Sequence, residues 1–435
     1  MPLNLHDHCK ARLIEFLTDA LPKVKVENGK YLDRLTSFLF LYEADRIIPE
    51  GTIQELLIDF LDELPVRRFV SDSLTKELSE RAAYSSDAPP KELNKIEGFE
   101  NEAELARALV ERLESLPWKY TLSFEFSAEI SSVFNTFIDE LPLSPEMRVI
   151  ASSEKLAEHF PLDIENENHR NRVLGQGGLL SLVGSQKPDW QEGRSYLQIE
   201  TEGFIGPYGG SNTVVNTYRK LKAFFGLGIA LRLFDVEIKY NPNPLRSYAN
   251  VHKMDDTSWR MDERLQLFDD DSRAISWVRL HSLGAKLDSD EKKIAWSRRQ
   301  LKEMSVVFSN EAKAENIILA SQWLFNSYTG LDELLNYVQA MVVLEILLGE
   351  GSSTSELSLG ELLRSRCAYL IGNSHDERTD LLRDFKKIYD VRSQIVHRGK
   401  HRLSGEERVL LNKLKWMCRR VIYEEVRLLK SDKDA

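Results

Sequence analysis

The chain has 435 residues, of which 42% are hydrophobic and 29% are charged, a composition typical of a globular protein. At roughly 150 residues per domain, this length predicts two or three domains. The net charge of −11 argues against a surface that binds nucleic acid everywhere, and the three widely spaced cysteines indicate a reducing cytoplasm without a disulfide framework.

Neither the N-terminus nor any apolar stretch indicates a membrane or an exported protein. The start, "MPLNLHDHCK", has no basic segment followed by an apolar run, and therefore predicts no secretory signal. The longest uncharged apolar stretch covers about residues 223–231, well short of the roughly 20 residues that a membrane helix needs. We expect a cytoplasmic protein with no membrane partner.

Residues 1–150 predict a helical N-terminal region of unknown role. Apolar residues recur at helical spacing in "LDRLTSFLFLYEADRI", "IQELLIDFLDEL" and "EAELARALVERLESL". The proline pair and polar residues of "AAYSSDAPPKELNKIEGFENEAE" predict a loop between them. His6, His8 and Cys9 supply only three metal-ligating side chains, so a surface N-terminus is favoured over a metal site.

Residues 151–300 predict a mixed α/β domain with a sensing or regulatory role. The segment "RSYLQIETEGFIG" alternates apolar and polar residues, as a strand does, and places Leu197, Ile199 and Thr201 on one side. A turn, "GPYGGSN", leads to a long buried helix in "TVVNTYRKLKAFFGLGIALRLF". The segments "DVEIKY" and "RAISWVRL" are two further candidate strands.

Two glycine-rich segments in this region are candidate phosphate loops. "GPYGGSN" stands between a strand and a helix, where such a loop belongs, but it lacks the Gly-Lys-Ser/Thr ending. A glycine turn with Ser211 or Asn212 as the helix N-cap is the better interpretation. "GQGG", at residues 175–178, is interpreted as a loop.

Residues 301–435 predict an all-α bundle, so that the whole chain belongs to the α+β class and is mostly helical. The predicted helices are "AENIILASQWLFNSY", "LDELLNYVQAMVVLEILL", "LGELLRSRCAYLIG", "ERTDLLRDFKKIYDVRSQIVH" and "SGEERVLLNKLKWMCRRVIYEEVRLL". Gly399 occupies a left-handed cap position, and Ser404 and Glu407 have capping-box spacing. Cys367 and Cys418 lie among core residues, where inert burial is expected.

The positive charge of the chain is concentrated at its C-terminal end. Residues 361–435 hold 18 Lys and Arg against 12 Asp and Glu, although the whole chain is acidic. A basic segment on an acidic body suits local binding of a polyanion. It suits equally well neutralisation by the acidic body of a neighbouring molecule.

Three charged residues in the C-terminal region lie on apolar helical faces. They are Glu345, Arg366 and Arg392, and Tyr389 is an apolar neighbour of Arg392. Because an isolated buried charge is strongly unfavourable, this pattern predicts a paired interior network. For Glu345 and Arg366 we expect a core ion pair that fixes the helix register.

Arg392 differs because His397 follows five residues later. This spacing separates the two side chains by about 140° around a straight helix, so they do not stack on each other. Ser393 and His397, four residues apart, share a face.

Three ordered motifs resemble the Apea-like branch of the HEPN superfamily. They are the apolar helix with "VLEILL", the helix "LLRSRCAYLIG" and the segment "YDVRSQIVHRG", which carries the Arg-x4-His signature. The resemblance covers about residues 310–430 closely and 195–240 loosely. Arg398 is a departure, since the branch often has glycine directly after the histidine.

The resemblance implies a metal-independent endoribonuclease, a hydrolase of a toxin or antiviral-defence system, with no cofactor. It implies that Arg392, Ser393 and His397 are catalytic, that RNA is the substrate and that two HEPN domains form a homodimer. The N-terminal regions would then bind a trigger or regulatory partner. The alternative is a non-catalytic HEPN module that binds nucleotide or protein and acts as a dimerising scaffold.

Overall fold

The computed structural model describes residues 2–81, 89–162, 190–207, 209–238, 247–281, 289–349 and 358–434. The helices in these ranges are α1 (Asp7–Ala20), α2 (Arg34–Leu41), α3 (Thr52–Phe60), α4 (Pro65–Arg81), α5 (Glu102–Glu114), α6 (Ala128–Phe134), α7 (Glu154–His159), α8 (Asn212–Ala230), α9 (Asp269–Ser276), α10 (Asp290–Phe308), α11 (Glu311–Thr329), α12 (Glu333–Leu348), α13 (Leu359–Ile371), α14 (His375–Arg398) and α15 (Gly405–Asp434). The strands are β1 (Lys25–Glu27), β2 (Tyr31–Leu32), β3 (Lys91–Glu92), β4 (Trp118–Glu125), β5 (Glu140–Ser144), β6 (Met147–Ala151), β7 (Ser195–Gly203), β8 (Phe234–Val236), β9 (Tyr248–Asp255), β10 (Ser258–Gln266) and β11 (Val278–Leu280). The fold is therefore α+β and mostly helical, as the sequence predicts.

A six-stranded sheet forms the middle of the molecule, in the order β10-β9-β4-β7-β6-β5, with every neighbouring pair antiparallel. Side chains of strand β7 alternate between two cores, as the period of a strand requires. Leu197 and Ile199 join the large core that also contains helix α8. Tyr196 faces the other side, where it packs in a smaller cluster with Trp190 and Trp259.

The large core is continuous from the sheet to the C-terminal helices, and includes side chains from Tyr120 through to Val426. A separate core lies in the N-terminal region, between Leu3 and Leu116, and receives Phe204 from the end of strand β7. The expected division at residue 300 therefore does not coincide with a break between cores.

The expectation of a helical region over residues 1–150 is wrong for its last part. Strands β4, β5 and β6 all precede residue 152 and belong to the central sheet. The overlooked signal is the alternation of Tyr120, Leu122 and Phe124, which are all buried on strand β4. The change from the N-terminal core to the large core falls near residue 117.

Two further predictions about the central region need correction. "RAISWVRL" is not one strand, because helix α9 occupies residues up to Ser276 and only Val278–Leu280 forms strand β11. Three aspartates in the first turn of α9 interact favourably with the helix dipole, which explains the helix. The hairpin of strands β9 and β10 was not predicted. The strand predicted in "RSYLQIETEGFIG" and the helix α8 are confirmed.

Helices α8 and α11 approach each other so closely that only glycine fits at one position. A Cβ atom added to Gly226 would lie 1.8 Å from the backbone carbonyl oxygen of Ser321 on α11. A backbone carbonyl cannot rotate away as a side chain does, so the two helices would have to separate.

None of the helices in the described ranges is long and apolar enough to cross a membrane.

Replacing Gly226 by Ala should lower the free energy of unfolding by about 3 kcal/mol or more, because the added methyl group overpacks a backbone contact. Urea unfolding followed by circular dichroism measures this change. Gly405→Ala is the matched control, since nothing lies within 4 Å of a Cβ atom there. The control should change stability by less than about 1 kcal/mol. Equal stability of the two variants would contradict the close helix contact.

Candidate functional site

Helix α14 carries the Arg-x4-His motif in its last two turns and is fixed at both ends. The hydroxyl of Ser374 accepts a hydrogen bond from the backbone amide of Glu377 at the N-terminus. Gly399 ends the helix in the left-handed conformation, with φ 64°, as its position in the sequence predicts. The buried stripe of the helix consists of Leu381, Phe385, Ile388 and Val391.

Arg392 lies at the edge of this stripe and is 22% exposed at its side chain. Its Nη2 atom donates to Oε1 of Glu345 on helix α12 at 3.3 Å, and the Glu345 side chain is 24% exposed. Val396, the apolar residue four positions after Arg392, is 47% exposed. The interior network predicted from the sequence is therefore a half-buried ion pair at the margin of the bundle.

The expected core ion pair between Glu345 and Arg366 does not form. Arg366 is exposed, and its Nη1 atom donates to the backbone oxygen of Leu348 at 2.7 Å, at the C-terminal end of helix α12. Tyr369, one turn further along α13, is 70% exposed, so this face of the helix points outward. Helical spacing identified the face but could not tell that the face lies outside the bundle.

Tyr389 packs between helices rather than joining the charged pair. Its ring lies against Gly360 on helix α13, where an added Cβ atom would be 2.9 Å from the ring. One residue earlier, the backbone oxygen of Ile388 accepts a hydrogen bond from the buried hydroxyl of Tyr337 on α12, at 3.2 Å. Burial raises the pKa of Tyr337, which keeps this hydroxyl protonated as a donor. Together these contacts hold α14 against α12 and α13.

Ser393 and His397 share one face of α14, as expected. Ser393 is partly buried and His397 is exposed in the last turn. The five-residue spacing places His397 about 7.5 Å further along the helix than Arg392 and about 140° around it. Within one chain the arginine and the histidine therefore point in different directions.

The segment after the motif is basic and well anchored. Its residues 397–402 read "HRGKHR", and the exposed Arg398, His401 and Arg402 follow or flank the helix end. Leu403 is buried and ties the segment to the core. The Nζ atom of Lys400 binds Oε1 of Glu407 at 2.8 Å. Of these cationic residues, only Arg398 was singled out in the sequence, although the whole run can be seen there.

The predicted capping box at the start of α15 is confirmed. The amide of Glu407 donates to the hydroxyl of Ser404 at 3.3 Å, and the amide of Ser404 donates to Oε2 of Glu407 at 2.8 Å. This pair of bonds sets the direction in which α15 leaves the motif.

Arg392 has a further hydrogen-bond donor for which no described residue supplies an acceptor. The Nε atom of Arg392 is buried and lacks an acceptor among the described residues. An unsatisfied buried donor is unfavourable by about 1–3 kcal/mol, so an acceptor that reached it, such as a phosphate oxygen, would gain that free energy.

The candidate phosphate loop before helix α8 leads into a helix start that packs on the N-terminal region. Ser211 is the N-cap residue of α8, but its hydroxyl makes no cap bond, and the first turn packs on α3, where Nδ2 of Asn212 donates to the carbonyl of Ile58. This contact engages the side chain of Asn212 in packing between helices. The segment "GQGG" lies outside the described residues.

The metal and cysteine candidates have structural roles in the described part of the chain. Nδ1 of His6 accepts a hydrogen bond from the amide of His8 and caps helix α1. Over the described ranges, no group of three or more His, Cys, Asp and Glu residues is arranged to hold a metal ion. Cys367 and Cys418 are buried and free, and burial raises the pKa of the Cys367 thiol to about 12.

Comparison of the chain with models of protein families, with curated proteins and with solved structures found no match in any of the three.

A double-mutant cycle should detect the ion pair between Arg392 and Glu345. Because both side chains are half-buried, Glu345→Ala should lower the free energy of unfolding by about 1–2 kcal/mol, and Glu345→Gln by less, since it keeps one acceptor. Combining Glu345→Ala with Arg392→Ala should show a coupling energy of about 1 kcal/mol between the two positions. Strict additivity of the two effects, measured by urea unfolding, would contradict the pair.

Proposed function

We propose that the protein is a metal-independent endoribonuclease that cleaves RNA through attack by the 2′-hydroxyl group. The observation that carries the proposal is the arrangement on helix α14. Arg392 is held in place by Glu345 at 3.3 Å, and His397 is exposed on the last turn of the same helix. The resemblance of the motif to Apea-like HEPN domains supports the same chemistry.

The two side chains suit the steps of this reaction. RNA supplies its own nucleophile, so cleavage needs a base for the 2′-hydroxyl proton, an acid for the 5′-leaving oxygen and positive charge on the phosphate. Imidazole generally titrates near neutral pH and serves as acid or base, the role we assign to His397. Arginine remains charged and binds two phosphate oxygens at once, the role of Arg392. Ser393 would orient His397 or donate to the phosphate.

The basic segment after the motif supports RNA as the substrate. Arg398, His401 and Arg402 are exposed beside His397, in a chain that is acidic overall. Cationic side chains next to a cleavage site hold the phosphates on either side of the scissile bond. The free cysteines fit a reducing compartment, and we place the activity in a cytoplasmic toxin or antiviral-defence effector.

A homodimer would complete the cleft. Arg392 and His397 diverge within one helix, whereas a two-fold axis near the end of α14 would bring each arginine towards the histidine of the second copy. Exposed apolar side chains support such a contact. Val396 lies beside His397, and Leu335 and Val409 lie on two helix starts joined by a bond from Nε of Arg408 to Glu333.

His397→Ala and Arg392→Ala should each abolish cleavage of total RNA by the full-length protein. Wild-type activity should persist in EDTA and leave 2′,3′-cyclic phosphate ends, and a single 2′-deoxy nucleotide at the cut site should block cleavage there. His375→Ala is the matched control, because His375 is exposed at the opposite end of the same helix. Full activity in a folded His397→Ala protein would exclude this site. A wild-type protein that leaves RNA intact would favour the dimerising scaffold.

Mixing Arg392→Ala protein with His397→Ala protein should restore about a quarter of wild-type activity. Random exchange of subunits makes half of the dimers mixed. A wild-type dimer holds two pairs of Arg392 and His397 across the interface, whereas a mixed dimer holds one. Differently tagged subunits measure the exchange. Confirmed exchange without any activity would show that the catalytic pair does not form between chains.

A further inference from the structure

A cavity of about 420 Å³ lies away from the Arg392–His397 motif, between helix α10, the second half of α15 and the end of α8. Its volume falls in the range of about 300–1,000 Å³ that is typical of small-molecule sites. Arg419 lines it, and lies 14 residues beyond Gly405, or about 20 Å along the helix from the end that adjoins the motif. The cavity is therefore a separate place in the fold.

The walls of the cavity carry far more positive than negative charge. Among the described residues, they include five arginines and a lysine but a single carboxylate: Arg232, Arg299, Arg419, Arg420, Arg427, Lys430 and Glu303. This excess stands in a chain of net charge −11. Cations that face one another across a low-dielectric space repel, so a bound anion would stabilise the cavity.

Half of these cations already have partners. Lys430 binds Glu303, and Glu424 on α15 binds both Arg420, at 3.2 Å, and Arg427, at 2.7 Å. By contrast, Arg232, Arg299 and Arg419 form no ion pair with any of the described residues. Three guanidinium groups, on α10, on α15 and in the turn after α8, are thus available to a ligand.

Two of these arginines, Arg419 and Arg232, lie near His281. Burial lowers the pKa of His281 and Asp235 opposes this effect, while the positive charges of Arg419 and Arg232 add to the decrease. The two guanidinium groups therefore approach one residue, Arg419 from α15 and Arg232 from the turn that follows α8.

The cavity also has a flat aromatic lining. Trp296, Trp416 and Tyr423 contribute to its walls. The indole Nε1 atom of Trp296 is buried and has no acceptor among the described residues, although a buried indole N–H usually finds one. Planar rings stack on nucleobases, so this lining suits a nucleobase.

We propose that this cavity binds a nucleoside triphosphate, with its phosphates on Arg232, Arg299 and Arg419 and its base against Trp296. The proposal does not depend on the ribonuclease assignment, because the cavity shares no residue with the Arg392–His397 motif. Guanidinium groups form bidentate bonds with phosphate oxygens, and the aromatic lining favours a nucleotide over a simple anion.

Calorimetric titration of the full-length protein with ATP, GTP, CTP and UTP, and separately with pyrophosphate and adenosine, tests this site. At least one triphosphate should bind, more tightly than pyrophosphate and much more tightly than adenosine. Arg299→Ala and Arg419→Gln should each weaken that binding about ten-fold or more, since each removes a charge-assisted bond. Trp296→Leu should weaken binding of the triphosphate but leave the affinity for pyrophosphate unchanged.

Arg298→Ala is the matched control, because Arg298 precedes Arg299 on the same helix and lies 5.3 Å from the Phe137 ring, outside the cavity. It should change the affinity less than two-fold, and His397→Ala should not change it at all. Thermal unfolding of each variant confirms that the protein is folded. The proposal is wrong if none of the four triphosphates binds, if pyrophosphate binds as tightly as the best of them, or if Arg298→Ala weakens binding as much as Arg299→Ala does.

Discussion

The contact between helices α8 and α11, where Gly226 meets the backbone of Ser321, holds the largest part of the structure together. Helix α8 has 13 buried residues among its 19 and lies between the central sheet and the C-terminal helices. Because the two backbones touch, the helices share one core rather than packing as separate domains. The helices that carry the motif are therefore positioned by the sheet as well as by each other.

Cations are held in two different ways in this molecule. Arg392 has an acidic partner, Glu345, and keeps a fixed position at the margin of the bundle. The arginines of the cavity lined by Trp296 exceed the carboxylates near them, and three lack such a partner among the described residues. A paired arginine is oriented before its ligand arrives, whereas unpaired arginines provide attraction over a longer range. The first arrangement suits catalysis, and the second suits capture of a diffusing anion.

Much of the helical structure could be predicted from the sequence because its signals are local. The capping box of Ser404 and Glu407 and the left-handed Gly399 depend on a few neighbouring residues, and both were identified correctly. Pairing between distant segments has no such local signal. Strand β4 lies at the centre of the sheet beside β7 and β9, which are far along the chain, and it was missed.

The ion pairs of the candidate site were also hard to predict from the sequence. Helical spacing indicated that Glu345 and Arg392 lie on apolar faces, but it could not tell which arginine Glu345 meets, because that depends on how three helices cross. We expected Glu345 to pair with Arg366, but its carboxylate binds Arg392 instead. The arginine-rich cavity was not predicted, since its residues come from three elements spread over some 200 positions of the chain.

Helix α8 also connects two distant parts of the protein. Its first turn is hydrogen-bonded to the N-terminal region through Asn212 and Ile58, and its last residue, Ala230, forms part of the cavity wall. A helix of 19 residues is about 28 Å long, and its backbone bonds make it a stiff rod over that length. A stiff helix of this length therefore connects the cavity wall directly to the N-terminal region.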